Sequence, residues 1–306
     1  MRSGKLACVV AIAVLASGAR DLRAAPPDKA PAESRAQVAH ALEVLAPAFA
    51  GKTRHLAAGA AGTIEQVIGS FAPAKFHPVE EGTLPAARTG GKCPTEMALV
   101  ASRFCVDKWE GTLDEKQSDG STKPWSPYES PAGGSVYVAR SRAGVAPQGY
   151  ISAKQAESAC RNAGKRLCRA VEWRAACGGS EGYAYPYGAT RVAGKCHDSG
   201  SAPMLVLHGG NSWTPEEMND PKNNQLEGGL AKTGAFTDCV NDYGVYDMVG
   251  NLHEWTADTN GTFQGGYWLD TSQHGDGCAY RTIAHSYDYH DYSTGFRCCM
   301  APEAQP

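Results

Sequence analysis

Asp247, Asn251 and Glu254 fall within the eight residues Asp247-Met248-Val249-Gly250-Asn251-Leu252-His253-Glu254, and the run closes on Trp255. The two carboxylates are too far apart for one helical turn. A loop that folds back at Gly250, where the backbone is unrestricted, aims both at one point with carbonyl oxygens beside them. Such a hard-oxygen cage suits calcium. A surface turn whose acids face water is the competing reading of the same spacing. A second concentration, Ala284-His285-Ser286-Tyr287-Asp288-Tyr289-His290-Asp291-Tyr292, holds two imidazoles and two acids, with His253 and His274 on nearby motifs. Two histidines with one carboxylate would suit non-haem iron with open positions. The plainer alternative is that these side chains line a binding cleft or satisfy loop backbone.

The elements that must position these groups belong to a chain of 306 residues, enough for one large domain or two small ones. It carries 35 glycines and 18 prolines, so much of it must be loop. The formal net charge is −3 and no basic face emerges, which argues against nucleic acid as a partner. Residues 1–25 read as an export signal: Arg2 and Lys5 precede the apolar stretch from Leu6 to Ala16, which is too short to span a bilayer, and Leu22-Arg23-Ala24-Ala25 offers small residues for cleavage. No later segment is apolar enough for a membrane helix, so an exported protein of the periplasm or exterior is expected. Cys8 aside, ten cysteines lie between Cys93 and Cys299, which in an oxidising compartment reads as up to five disulfides. No closely paired C-x-x-C motif supports a metal reading of them.

Residues 26–92 lack cysteine and are rich in alanine, proline and glycine. They read as a linker with short helices over 32–49, where Val38, Leu42 and Leu45 share a face, and over 63–71. From Cys93 to residue 302 the character is that of a folded domain, followed by a tail at 303–306. Two apolar runs either side of Ser102-Arg103 predict a β-hairpin stapled across its arms by Cys93 and Cys105. Residues 111–148 read as a long loop. Ser152-Ala153-Lys154-Gln155 is a capping box that starts a helix ending before Gly164. A second helix is expected over 169–177 with Val171, Trp173 and Ala176 inward. Brief strands follow around 263–269, 278–284 and 295–300, making an irregular, loop-rich α+β domain.

Seven motifs then occur in order: Phe104-Cys105-Val106-Asp107-Lys108-Trp109-Glu110, Ala163-Gly164-Lys165-Arg166-Leu167, Glu172-Trp173, Tyr185-Pro186-Tyr187-Gly188, the run from Gly244 to Trp255, Gly265-Gly266-Tyr267-Trp268, and Gly295-Phe296-Arg297-Cys298. The series resembles the sulfatase-modifying-factor family, which includes the formylglycine-generating enzymes, over roughly 93–302. The resemblance implies a disulfide-stapled, C-type-lectin-like fold with structural calcium. It places one calcium at Asp247, at Gly250 and Leu252 through their carbonyls, and at Glu254. A second set would draw on Asp198, Asn224 and Leu226. It also implies a bridge from Cys160 to Cys298. Cys196 with Cys239 is left by elimination, and Cys168, Cys177, Cys278 and Cys299 stay unassigned.

Formylglycine generators oxidise a polypeptide cysteine with oxygen, using copper(I) held by two cysteines after the Gly-Gly-x-Tyr segment. Here the first of those positions falls on Asp270 and the second lies near Cys278, so the catalytic candidates are Cys278 and Asp270. One thiolate cannot make a linear two-sulfur site, and copper is not expected. The leading expectation is a diverged member that binds a peptide, protein or glycan in the family cleft, edged by Tyr267, Trp268, Arg281, His285 and His290. The competing expectations are an oxygen- and metal-dependent oxidase, iron included, and a structural module presenting variable loops. Arg297 is expected in a buried pair within the closing strand.

Overall fold

The computed structural model describes residues 82–211 and 213–303. The export signal at 1–25 and the helices expected over 32–49 and 63–71 lie outside the described residues. Strand β1 (Met97–Val100) and strand β2 (Phe104–Asp107) form the hairpin, turning through Ala101 and Ser102 at φ 48° and 56°. Cys93 precedes β1, so its bond to Cys105 ties the lead-in segment to β2 and does not cross the hairpin arms. Residues 82–92 also pack on this hairpin. Arg103 donates to the Pro85 carbonyl at 2.6 Å, and Leu84 rests on the buried cluster of Phe104, Val106, Trp173 and Val245.

The segment 111–148 is not a loop. Strands β3 (Gly111–Lys116), β4 (Thr122–Pro124) and β5 (Tyr137–Ser141) build an antiparallel sheet in the order β4-β3-β5. The charge that made β3 read as loop is neutralised across the sheet. Asp114 is buried and accepts from Arg140 Nε at 3.0 Å and from both terminal nitrogens of Arg142 at 2.8 and 2.6 Å.

Helix α1 (Ala153–Asn162) starts at the Ser152 capping box, with both reciprocal hydrogen bonds to Gln155 formed. Strand β6 (Arg166–Leu167) leads into helix α2 (Ala170–Cys177). Glu172 closes the first turn of α2 by accepting from the Arg169 amide at 3.0 Å, and it pairs with Arg166 at 2.6 Å. Trp173 and Ala176 face the core, while Val171 is half-buried. The rest is loop punctuated by helices α3 (Pro203–His208) and α4 (Pro215–Met218) and by short strands. These strands are β7 (His253–Trp255), β8 (Phe263–Gln264), β9 (Arg281–Thr282), β10 (Thr294–Phe296) and β11 (Cys298–Met300).

Strand β11 enters the first sheet, order β1-β2-β11-β6, and β10 pairs parallel with β7 at the edge of the second, order β10-β7-β8-β9. The chain end therefore locks both sheets, and Lys92 and Glu303 pair to close the domain. Five disulfides reinforce that closure: Cys93–Cys105, Cys160–Cys298, Cys168–Cys299, Cys177–Cys278 and Cys196–Cys239. The adjacent Cys298 and Cys299 reach opposite partners, one on α1 and one beside β6. No helix among the described residues is long and apolar enough to cross a membrane.

Candidate functional site

The turn before β7 is fixed by close backbone contact. Gly250 has φ 81°, and a Cβ there would lie 2.1 Å from the His197 carbonyl oxygen, so only glycine fits. Its amide donates to the Gly265 carbonyl at 2.9 Å, and the Asn251 amide donates to His197 at 2.9 Å. Asp247 and Asn251 both take left-handed backbone, at φ 57° and 56°. These constraints bring the polar groups of the turn inward.

Glu254 sits in the middle of β7, opposite Gly295 of β10, and is buried. Arg297, also buried, donates to it through Nε and Nη2, each at 2.6 Å, and Trp173 Nε1 donates to the same carboxylate at 2.7 Å. The guanidinium is completed by the carbonyls of Asp107 at 3.0 Å and Tyr246 at 2.9 Å. Asp247 accepts from the Gly234 amide at 2.6 Å. A third acid joins them: Glu110, just before β3, accepts from Asn251 Nδ2 at 2.6 Å through Oε2, while its buried Oε1 has no hydrogen-bond partner.

Three carboxylates thus influence one another around a single guanidinium. Burial pushes the Glu110 carboxyl well above the usual range, and the charges of Asp247 and Glu254 add to it. Burial raises Asp247 to about 6 against the pull of the Gly234 amide and Arg297. Burial also opposes the charge on Arg297, but Glu254 outweighs it and holds the guanidinium protonated. A buried excess of negative charge with an orphaned oxygen is a setting that a hard cation fits. Among the described residues, no three His, Cys, Asp or Glu side chains group as a metal site by themselves. Any calcium here would therefore rely on the carbonyls of Gly250 and Leu252 as well as on the acids.

The residues of the second expected set are engaged differently. Asp198 accepts from Arg191 Nε at 2.6 Å and leaves its buried Oδ1 without a hydrogen bond. The Asn224 amide is buried with neither polar atom paired. The Leu226 carbonyl accepts from Gly229 at 2.8 Å in a turn.

The catalytic candidates are spoken for. Cys278, on the 3-10 turn Gly277–Ala279, is bonded to Cys177 at the end of α2. A bridged sulfur is neither a nucleophile nor a metal ligand, so the candidacy of Cys278 is corrected. Asp270 caps a turn: it accepts from the amides of Ser272 and Gln273 at 2.9 and 3.0 Å and from the Tyr280 hydroxyl at 2.9 Å. The two positions do not fit a two-thiolate copper(I) site.

The expected cleft residues divide. Trp268 is fully buried and donates its indole N–H to the Ser201 carbonyl at 2.9 Å, so it belongs to the core and not to a cleft floor. Its bulk fills the space between Tyr292 and Gly200, which is why so large a ring is drawn inside. Tyr267, Arg281, His285 and His290 stay half-buried. His285 stacks on Phe263 at 4.4 Å, whereas His290 Nδ1 meets Asn219 Oδ1 at 2.7 Å, so the two imidazoles have different neighbours. Burial lowers both below the ordinary imidazole range. His253 is held among Phe263, Tyr267 and Tyr280 with a buried, unpaired Nδ1. Burial first, then the charges of His285 and His274, take it down to about 3.

Sequence reasoning missed Glu110 and Trp173 as parts of the charged centre. Glu110 did carry a signal, an acid ending the apolar run from Phe104, but nothing local tells that Asn251 meets it from far along the chain.

A family model described as the sulfatase-modifying factor enzyme 1-like domain matches residues 103–302. The chain is 29% identical over 182 residues to "Inactive C-alpha-formylglycine-generating enzyme 2" of Bos taurus, covering 52% of each protein. It is 34% identical over 113 residues to "Formylglycine-generating enzyme" of Mus musculus, covering 36% of this chain and 26% of that one. The chain spans about half the length of the first relative and about a quarter of the second. Among solved structures it is similar to "Treponema denticola variable protein 1", with a TM-score of 0.40 and 15% identity over 69% of this chain and 100% of that one. With the family model spanning residues 103–302, which include every residue of the charged centre, the chain belongs to the sulfatase-modifying factor enzyme 1-like family.

Proposed function

We propose that this chain is an exported binding protein that keeps the family scaffold without its cysteine oxidase chemistry. A peptide, protein or glycan occupies the cleft edged by Tyr267, Arg281, His285 and His290, and calcium stabilises the turn behind it. The observation that carries this reading is the bond between Cys177 and Cys278. It removes the one thiol near the family's copper position, and Asp270 stands at the other with its oxygens used in a turn and on Tyr280. A hard carboxylate and a bridged sulfur do not replace a pair of soft thiolates. Similarity to a relative named inactive is in keeping with this divergence. Five disulfides suit an oxidising compartment.

Calcium is the reading of the buried acids. Asp247, Glu254 and the carbonyls of Gly250 and Leu252 would hold it, and its charge would offset the excess that Arg297 leaves unbalanced. The test is made on the full chain purified from an oxidising compartment. Elemental analysis is expected to find calcium without stoichiometric copper or iron. The protein incubated with copper(I), oxygen and a cysteine-containing peptide is expected to yield no aldehyde. Stoichiometric copper together with formylglycine in the peptide would overturn the binding-protein reading.

A further inference from the structure

A surface pocket of about 390 Å³ opens beyond the end of α2 and shares no lining residue with the proposed cleft. Its walls bear Glu181, Tyr183, Tyr187, Lys195, Asp238 and Asp242. Two disulfides stiffen it: Cys177–Cys278 anchors the end of α2, and Cys196–Cys239 joins the segments that carry Lys195 and Asp238. The loop entering it is pinned as well. The Tyr183 amide donates to the Gly178 carbonyl at 2.8 Å, and the Ser180 amide donates to Asp242 at 3.0 Å.

The chemistry of the walls selects a sign of charge. Three acids face one lysine. Asp242 is engaged by Ser180, whereas Glu181 and Asp238 are exposed and make no side-chain hydrogen bond or ion pair among the described residues. Two tyrosines supply ring faces. Tyr187 stacks on Tyr185 at 5.6 Å and already carries a cation, since Lys195 Nζ lies 5.0 Å from its ring centroid. Tyr183 is 44% exposed and has no ring partner among the described residues. An aromatic face beside unpaired carboxylates is a receptor for an organic cation, and the internal lysine shows the geometry in use. An anion would meet a net negative wall, and an apolar ligand would bury carboxylates without a partner.

We propose that this pocket binds an extended organic cation, an ammonium or guanidinium group lodged against Tyr183 between Glu181 and Asp238. Such a group is carried by a free polyamine or by a lysine or arginine side chain of a polypeptide. The site is separate from the cleft, so it stands whether or not the cleft reading does.

The experiment titrates the full chain with spermidine, with acetyl-Gly-Arg-Gly-amide and with the neutral acetyl-Gly-Gln-Gly-amide, following amide shifts of Tyr183, Lys195 and Asp238 by NMR. Binding of spermidine or of the arginine peptide, but not of the glutamine peptide, supports the proposal, and the stronger of the two identifies the source. The Glu181→Gln/Asp238→Asn variant is expected to weaken binding about 10-fold, the scale of two exposed ion pairs lost together, with an unchanged melting temperature. Lys195→Met is expected to tighten it, because the competing internal charge is removed. No shift with either cation, equal binding of the neutral peptide, or weakening by Lys195→Met would overturn the proposal.

Discussion

Arg297 and Glu254 are joined by two hydrogen bonds of 2.6 Å inside the domain, where neither side chain is more than 1% exposed. The pair links the segment between β10 and β11 to β7, and the same guanidinium holds the carbonyls that end β2 and precede Asp247. It is thus a cross-brace between the two four-stranded sheets as well as the counter-charge to the buried acids. Arg297→Met strips that counter-charge and leaves Glu254 buried and unpaired. Breaking one side of such a pair costs about 3–5 kcal/mol, against near neutrality when both charges are replaced together. Urea unfolding at pH 7 is expected to show that loss for Arg297→Met and a partial recovery in Arg297→Met/Glu254→Leu. A double variant no better than the single one would show that Glu254 has a second cationic partner.

Asp247 gives the calcium reading a pH signature. Its carboxyl is raised to about 6 from an ordinary value of 3.8, so the fold binds a proton that the unfolded chain has released. Its stabilising contribution is complete below about pH 4 and is lost as pH rises through 6, about 3 kcal/mol from a shift of this size. Calcium would act in the opposite sense, binding the ionised form. With EGTA present, the chain is therefore expected to lose stability across this window relative to Asp247→Asn. With millimolar calcium, the wild-type chain should gain stability with pH and the variant should not. A melting temperature indifferent to EGTA at pH 7.5 would remove calcium from the turn.

The parts of the fold legible in the sequence were those decided by neighbours along the chain. The Ser152–Gln155 capping box set the start of α1, and the Gly164 stop set its end, because both act within one turn. The Gly250 turn was legible for the same reason. Strand β3 was not, since Asp114, Glu115 and Lys116 look like loop until Arg140 of β5 and Arg142 just after it neutralise Asp114. Trp268 read as a cleft aromatic because local sequence does not say which side of a ring is covered. Glu110 remained hidden because its meaning depends on Asn251, which only the closed fold brings to it.

His253 supplies a second titration, opposite in sign to that of Asp247. Burial among three aromatic rings holds its imidazole at about 3, so the unfolded chain takes up a proton below about pH 6.5 that the fold refuses. The stability this provides is complete above pH 6.5 and falls away as pH drops, by about 3 kcal/mol at pH 4. His253→Phe keeps the ring packing and removes the titration. Its stability relative to wild type is expected to improve steadily from pH 6.5 to pH 4, a comparison in which Asp247 cancels. Parallel curves for the two proteins would show that the imidazole reaches a proton-stabilising partner in the fold.

The two bridges with the most unequal spans show how a neighbouring bridge limits what a disulfide contributes. Cys160–Cys298 spans 138 residues and Cys93–Cys105 spans 12. In the chain-entropy account, each acting as the sole bridge, the first would restrain the unfolded chain by about 5 kcal/mol and the second by about 3. The cysteines of the long bridge and Cys105 of the short one are fully buried, so replacing them by alanine adds similar local packing losses. With Cys168–Cys299 in place, Cys160 and Cys298 close a loop of only about ten residues, so Cys160→Ala/Cys298→Ala is expected to lower the unfolding free energy by about 3 kcal/mol, the same as Cys93→Ala/Cys105→Ala, measured in urea with the other four bridges intact. The long bridge also joins α1 to the start of β11, the strand that completes the first sheet. Its loss should raise the unfolding rate more than it slows refolding, if that closing strand docks after the hairpin and α1 have formed. A loss about 2 kcal/mol greater from the long pair would mean that the Cys168–Cys299 bridge does not hold the two segments together in the unfolded chain.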